Sequence, residues 1–292
     1  MNRTLPVLIT ALLASCTQSP YEQDPARYQN SRINHLVIHF TSEHFARSME
    51  LLTGRGESRV SVHYVVPEPG DETYPHDDLR IYQLVSEDRR AWHAGRSDWA
   101  GVTTLNNSSV GIEIVNQSAC VDDPAVDPPT PETQTCTLYD FPDEQIELVI
   151  QLAKDILERN PDIRPVDVIG HADIATDRRV DPGPRFPWKR LYDNGIGAWY
   201  EEPTAARYEQ QFRQNLPELA VLQRALRAYG YKVEATGEDD VQSRFAVRAF
   251  QMHFRPASAT GYIDTETAAI LFALLEKYRP DAVEPLLQID TA

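Results

Sequence analysis

The stretch Val168-Ile169-Gly170-His171-Ala172-Asp173-Ile174-Ala175, continued by Arg179-Val180-Asp181-Pro182-Gly183-Pro184, decides how this chain is read. A short apolar run of β type ends in a histidine. A carboxylate, Asp181, returns ten residues later in a loop stiffened by proline and glycine. An imidazole and a carboxylate so arranged can serve one metal ion. With a second histidine from elsewhere, three protein ligands leave a fourth zinc position open to water, and a site of that kind is hydrolytic.

Working outward, the clearest helix precedes this stretch. Ile146, Val149, Ile150, Ala153, Ile156 and Leu157 recur at helical spacing between Pro142 and Asn160-Pro161. Further upstream lie β-type runs: His35 to Phe40, Val60 to Val66 stopped by Pro67, Leu79 to Val85, and Ser109 to Asn116. Thr41-Ser42 is placed to cap a helix over 43–52. Strands interleaved with helices predict an α/β domain with a mixed central sheet flanked by helices.

The second histidine is His39. It ends its run on the face it shares with His35 and Val37. Strands of one sheet ending at the same edge bring His39 to His171, and Asp181 completes a two-histidine, one-carboxylate set. Glu113 lies within Gly111-Ile112-Glu113-Ile114-Val115 on the face opposite its apolar neighbours. A carboxylate in an apolar strand is costly unless paired or functional. It is either a solvent-facing residue of an edge strand or the group that takes a proton from water and passes it to a leaving amine. Arg179 is a candidate for oxyanion stabilisation, with Arg178 and Arg185 as alternatives and plain surface charge as the competing explanation. His93, beside Trp92, either contacts substrate or orders its own loop. His63 is expected to pack in the sheet, and His35, His44, His76 and His253 to serve as surface or packing residues.

The chain has 292 residues and a formal net charge of −16, enough for two domains and without the basic stripes that nucleic acid requires. Residues 1–15 read as a signal peptide: Arg3, then an apolar run from Leu5 to Leu13 too short to span a bilayer, then Leu13-Ala14-Ser15-Cys16. Small residues before that cysteine resemble a lipobox, with Cys16 as the lipidated residue. The alternative is an ordinary signal peptide with an incidental cysteine. Residues 16–30 read as a tether, so the mature protein is expected to be exported and lipid-anchored. Cys120 and Cys136 then remain, either as a disulfide or as two free thiols. A disulfide closing a loop of about fifteen residues contributes ~3 kcal/mol in the chain-entropy model.

After Trp188 the composition shifts. Residues 201–216 read as a charged linker, 217–280 as a three-helix bundle of its own, and 281–292 as a tail. Leu219, Leu222, Leu226 and Tyr229 form a stripe with Gly230 as its stop. Gly237-Glu238-Asp239-Asp240 and Gly261-Tyr262-Ile263-Asp264 echo one another, each a turn feeding a capped helix.

Five blocks then fall in order over residues 31–200. They are Leu36-Val37-Ile38-His39-Phe40-Thr41, Ser61-Val62-His63-Tyr64-Val65-Val66, Ala91-Trp92-His93-Ala94-Gly95, Val110 to Asn116, and Gly170 to Ala175 through Asp181-Pro182-Gly183-Pro184-Arg185-Phe186-Pro187-Trp188. Together they resemble the type-2 branch of the zinc N-acetylmuramoyl-L-alanine amidase family. The resemblance implies that family's fold, zinc on His39, His171 and Asp181, and Glu113 as catalytic acid/base. It also implies hydrolysis of the amide between the lactyl group of N-acetylmuramic acid and L-alanine. The family usually has lysine where Arg179 stands. Arginine does not release its proton, so Arg179 would stabilise charge and leave all proton transfer to Glu113. Leu222-Gln223-Arg224-Ala225-Leu226, Gly230-Tyr231, Ala246 to Gln251 and Gly261 to Thr267 resemble the type-1 peptidoglycan-binding domain. The whole arrangement is similar to outer-membrane amidase lipoproteins facing the periplasm, with peptidoglycan or muropeptides as partner and a monomer expected. Two competing readings are a non-catalytic peptidoglycan-recognition protein and a zinc peptidase cutting within the stem peptide.

Overall fold

The structure is a computed structural model that describes residue 24 and residues 26–289. The signal peptide, Cys16 and most of the tether lie outside the described residues, as does the end of the tail. Residues 24 and 26–30 carry no helix or strand. From Ser31 onward the described residues form one compact unit. Among them no helix is long and apolar enough to cross a membrane.

In chain order the elements are β1 (His35–Phe40), α1 (Phe45–Leu52), β2 (Tyr64–Val66), β3 (Tyr82–Gln83), β4 (Asp98–Trp99), β5 (Val102–Thr103) and β6 (Ser109–Ile114). Then come β7 (Ala119–Asp122), β8 (Gln134–Thr137), α2 (Asp143–Arg159), β9 (Val168–Gly170), α3 (His171–Ile174) and α4 (Trp188–Asp193). The remainder is helical: α5 (Glu202–Phe212), α6 (Leu219–Tyr229), α7 (Val241–Phe254), α8 (Thr265–Tyr278) and α9 (Pro280–Ile289). The main sheet has the order β3-β2-β6-β1-β9. Pairings β2–β6, β6–β1 and β1–β9 are parallel, and β3 closes one edge antiparallel. All six residues of β1 are buried, as expected for a central parallel strand covered on both faces. Helix α2 turns Ile146, Val149, Ile150, Ala153 and Ile156 into the core.

The register positions the site. His39 pairs directly with Glu113 across β1–β6, and Ile38 pairs with Gly170 across β1–β9, so His171 follows one step beyond. Residues level with one another on parallel neighbours point to the same face. His171, His39 and Glu113 therefore form a row at the C-terminal ends of three adjacent strands.

Several expectations are corrected. The runs 60–66 and 79–85 keep only β2 and β3 as paired strands. His171 does not end a strand but opens the short helix α3. Helix α1 is capped by His44, whose Nδ1 accepts the Arg47 N–H, and not by Thr41-Ser42. Residues 202–212 of the supposed linker are α5, whose Tyr208 and Phe212 pack on Phe272 of α8, and most of the supposed tail is α9. The helical half is also not a bundle apart, because one cluster of buried apolar residues runs from Ile38 and Ile112 through Trp99 to Tyr229, Phe250 and Phe272.

The two echoing turns are a structural repeat. Gln223 accepts the Gly237 N–H and donates to the Glu238 carbonyl and Ser243 Oγ, while Asp240 caps α7. Gln251 accepts the Gly261 N–H and donates to the Tyr262 carbonyl and Thr267 Oγ1, while Asp264 caps α8. Each buried glutamine satisfies the backbone of the turn that starts the next helix.

Candidate active site

The row of strand ends opens into a pocket of about 220 Å³ lined by Trp92, His93, Glu113, His171, Arg179 and Asp181, among others. Inside it His39 Nδ1 lies 3.0 Å from His171 Nδ1 and 3.0 Å from Asp181 Oδ2, and His171 Nδ1 lies 3.1 Å from the same oxygen. All three residues are buried. The backbone holds Asp181 in place, because the Ala172 N–H donates to the Asp181 carbonyl at 2.8 Å. Gly170 makes this closeness possible: a Cβ there would stand 2.7 Å from Pro182 Cδ.

The hydrogen bonds behind the rings fix their tautomers. Ser109 Oγ–H donates to the Leu105 carbonyl at 2.7 Å, so its lone pair receives His93 Nε2–H at 3.2 Å. Burial, with His39 and His63 beside it, pushes the His93 pKa well down, which keeps that ring neutral with a bare Nδ1. That atom accepts His39 Nε2–H at 2.9 Å. His171 Nε2–H points to the Ala94 carbonyl at 3.3 Å. In the neutral rings both Nδ1 lone pairs then face each other and a carboxylate oxygen with no proton between them. Three buried electron-pair donors converging on one point fit a cation, and His, His and Asp form a ligand set suited to zinc. The bonds behind the rings are of the kind that orient metal ligands.

The electrostatics agree. Burial and the neighbouring His171 push His39 down to about 4. Burial alone would raise Asp181, but His171 and His39 outweigh it and hold the group below its ordinary range, as a carboxylate. Glu113 moves the other way: burial and the Asp181 charge raise it well above an ordinary glutamate, against an opposing pull from Arg179. Its Oε2 is buried without a hydrogen-bond partner.

The arginines separate cleanly. Arg178 Nη2 donates to the Ala94 carbonyl at 2.9 Å and to the Arg96 carbonyl, tying the loop after His93 to the segment carrying Asp181. Arg185 pairs with Asp140 on the surface at 3.2 Å. Arg179 lines the pocket and makes no ion pair among the described residues. Trp92 is half-exposed on the pocket wall, with the Arg90 guanidinium over its ring at 3.9 Å. His93 lines the pocket but is buried, bonded to His39 and Ser109. Its loop is held by Asn106 Oδ1, which accepts the N–H groups of His93 and Ala94. The space beside Gly111 is filled by the His93 ring. His63 packs in the sheet, accepting the Gly111 N–H and donating to the Arg89 carbonyl. Cys120 and Cys136 face one another across β7–β8 and are joined by a disulfide. The sequence does not mark Ser109 or Asn106, and it offers Arg178 only as an alternative to Arg179; no local pattern shows the loop tie that Arg178 makes, since its partners are distant in sequence.

Comparison with known proteins accords with this geometry. Residues 29–184 match the family model described as N-acetylmuramoyl-L-alanine amidase, and residues 215–271 match a putative peptidoglycan binding domain. The N-acetylmuramoyl-L-alanine amidase AmiD of Escherichia coli K12 is 40% identical, with 94% of this chain and 98% of the relative covered. The crystal structure of AmpDh3 from Pseudomonas aeruginosa superposes with a TM-score of 0.77 at 44% identity, over 94% of this chain and 100% of that one. A complex of the E. coli AmiD with anhydro-N-acetylmuramic acid-L-Ala-D-γ-Glu-L-Lys superposes with a TM-score of 0.73 at 40% identity, over 88% and 93%. With a family model across its sheet and a relative aligned over nearly its whole length, this chain belongs to the N-acetylmuramoyl-L-alanine amidase family.

Proposed function

We propose that this chain hydrolyses the amide bond between the lactyl group of N-acetylmuramic acid and L-alanine in peptidoglycan, with zinc held by His39 Nδ1, His171 Nδ1 and Asp181 Oδ2. The observation that carries the reading is the convergence of those three buried atoms, ring protons turned away, in a chain of this family. The relative crystallised with a muropeptide supports the substrate class.

A zinc ion at that point supplies Lewis acidity, polarising a carbonyl and lowering the pKa of water. The chain's own residues do the rest. Glu113, partly exposed to the pocket and level with His39, takes a proton from the attacking water and delivers it to the departing amine of L-alanine. Its raised pKa suits a group that must hold the proton between those two transfers. Arg179 reaches the same pocket with a permanent charge and stabilises the oxygen that becomes negative as the carbonyl carbon turns tetrahedral. It carries no proton away. Trp92, stiffened by Arg90, offers a flat wall for substrate, and His93 keeps His39 in its ligand tautomer.

The setting we propose is the periplasmic face of the outer membrane. Cys16 would carry the lipid and residues 16–30 the reach, with the protein monomeric and the helical half binding the wall. The Cys120–Cys136 disulfide supports an exported protein.

Metal analysis with muropeptide cleavage tests the reading. The purified protein should carry stoichiometric zinc and release L-Ala-D-γ-Glu-L-Lys from its anhydro-N-acetylmuramyl conjugate, and His39→Ala should lose both. Binding without cleavage would make it a recognition protein, and a cut between amino acids would make it a stem peptidase. Either outcome overturns the proposal.

A further inference from the structure

The turn that carries His171 is held from outside the amidase sheet. Asp173, only 2% exposed, accepts the Gly170 N–H at 2.7 Å on Oδ2, closing the turn from β9 into α3. Its other two donors come from the helical half. Tyr231 Oη–H donates to Oδ1 at 2.6 Å, and His253 Nδ1–H donates to Oδ2 at 2.8 Å. No lysine or arginine pairs with this carboxylate among the described residues, so the donors bonded to it compensate its burial. Both donors are fixed. Tyr231 is buried and, with the Asp173 charge beside it, its pKa rises well above the ordinary value, so the hydroxyl keeps its proton. His253 is stacked between Trp188, with ring centroids 3.8 Å apart, and Phe254 at 4.0 Å.

The consequence reaches two of the three converging atoms. His171 begins the turn that Asp173 closes, and Ala172, between them, donates the N–H that holds the Asp181 carbonyl. A turn that loosens at Asp173 therefore moves His171 and Asp181 together.

We infer that Tyr231 and His253 are positioning residues for the metal site: the helical half, beyond any contact with the wall, sets the metal affinity of the amidase half through Asp173. The inference rests on the zinc reading above. Groups hydrogen-bonded directly to metal ligands change metal affinity by roughly 10–100-fold; Tyr231 and His253 act one contact further back, so the lower end of that range is expected.

The test is zinc affinity of the full mature protein, measured by competition with a chromogenic chelator. Tyr231→Phe and His253→Phe each keep the ring and remove the donor. Each should raise the zinc dissociation constant about tenfold, with activity recovering toward wild type at saturating zinc. The control is Tyr208→Phe, which removes a hydroxyl bonded to Glu276 at 2.7 Å in the same helical half, away from Asp173. It should leave zinc affinity within about twofold of wild type, whatever it does to the melting temperature. If Tyr231→Phe does not fold, as judged by circular dichroism, His253→Phe and the isosteric Asp173→Asn give the same readout. Donor variants with wild-type zinc affinity, or a Tyr208→Phe that weakens zinc equally, would overturn the inference. A wild type that binds no zinc would instead remove the metal reading beneath it.

Discussion

Glu113 sits between opposing fields. Burial and the Asp181 carboxylate hold its proton on, and the Arg179 cation pulls it off. With its pKa well above the ordinary value of 4.5, the deprotonated form needed to accept water's proton is lost as pH falls through that raised value. In the metal-free protein the Glu113 carboxyl should therefore titrate above the range of an ordinary glutamate, as its NMR chemical shift against pH will show. Glu113→Gln keeps the shape and removes the base. It should cost about 10²–10⁴ in kcat while zinc content stays unchanged, as steady-state kinetics and metal analysis will show. Arg179 makes a different prediction. Arg179→Ala should lose about 10²–10³ in kcat, the magnitude of one oxyanion donor, and Arg179→Lys should keep substantial activity. An alanine variant at full rate would exclude the charge role. At this scale the candidate set is legible in the sequence, because a polar residue alternating with apolar neighbours on a short strand announces its face. The second layer is not. His39 meets His93 across 54 residues and Asp173 meets His253 across 80, and no local pattern encodes such pairs.

Among the elements, β1, β6 and α2 were readable because their periodicity runs nearly their whole length. The runs 60–66 and 79–85 show why alternation overstates strands. The β-type sequence pattern extends past the paired residues, and the freed backbone finds other partners, as the Ser61 N–H does with the Trp92 carbonyl. Helix α5 was hidden for the opposite reason. Ala205, Tyr208 and Phe212 are a narrow stripe diluted by charged neighbours, so the composition looked like a linker. The β6 strand offers a prediction at this scale. A Cβ at Gly111 would lie 2.7 Å from the His93 ring, and that ring holds His39. Gly111→Ala should cost about 1–3 kcal/mol by overpacking and should also lower zinc affinity, measured by thermal melts and chelator competition. A variant that melts lower with unchanged zinc affinity would show that His93 tolerates displacement.

As a whole molecule, the chain folds its helical half into the amidase half. Trp99 sits against Tyr229 and Tyr231 and donates its indole N–H to the Val166 carbonyl, while the Ala100 N–H donates to the Gly230 carbonyl. Arg248 of α7 donates to the Pro131 carbonyl and to Gln134 in the disulfide-linked hairpin region. These contacts join segments around the site to helices that the sequence presents as a separate module. Two family matches in one chain suggested two domains; the shared core is a property of tertiary packing that neither match carries. This unit, as proposed, cuts one bond, between the sugar's lactyl group and L-alanine, and needs a metal on His39, His171 and Asp181 to do so. Mass spectrometry of products from purified sacculi, with and without a chelator, tests it most directly. Stem peptides with a free N-terminal L-alanine are expected, lost on chelation and restored by zinc. Peptides cut between amino acids, or release unaffected by chelator, would contradict it.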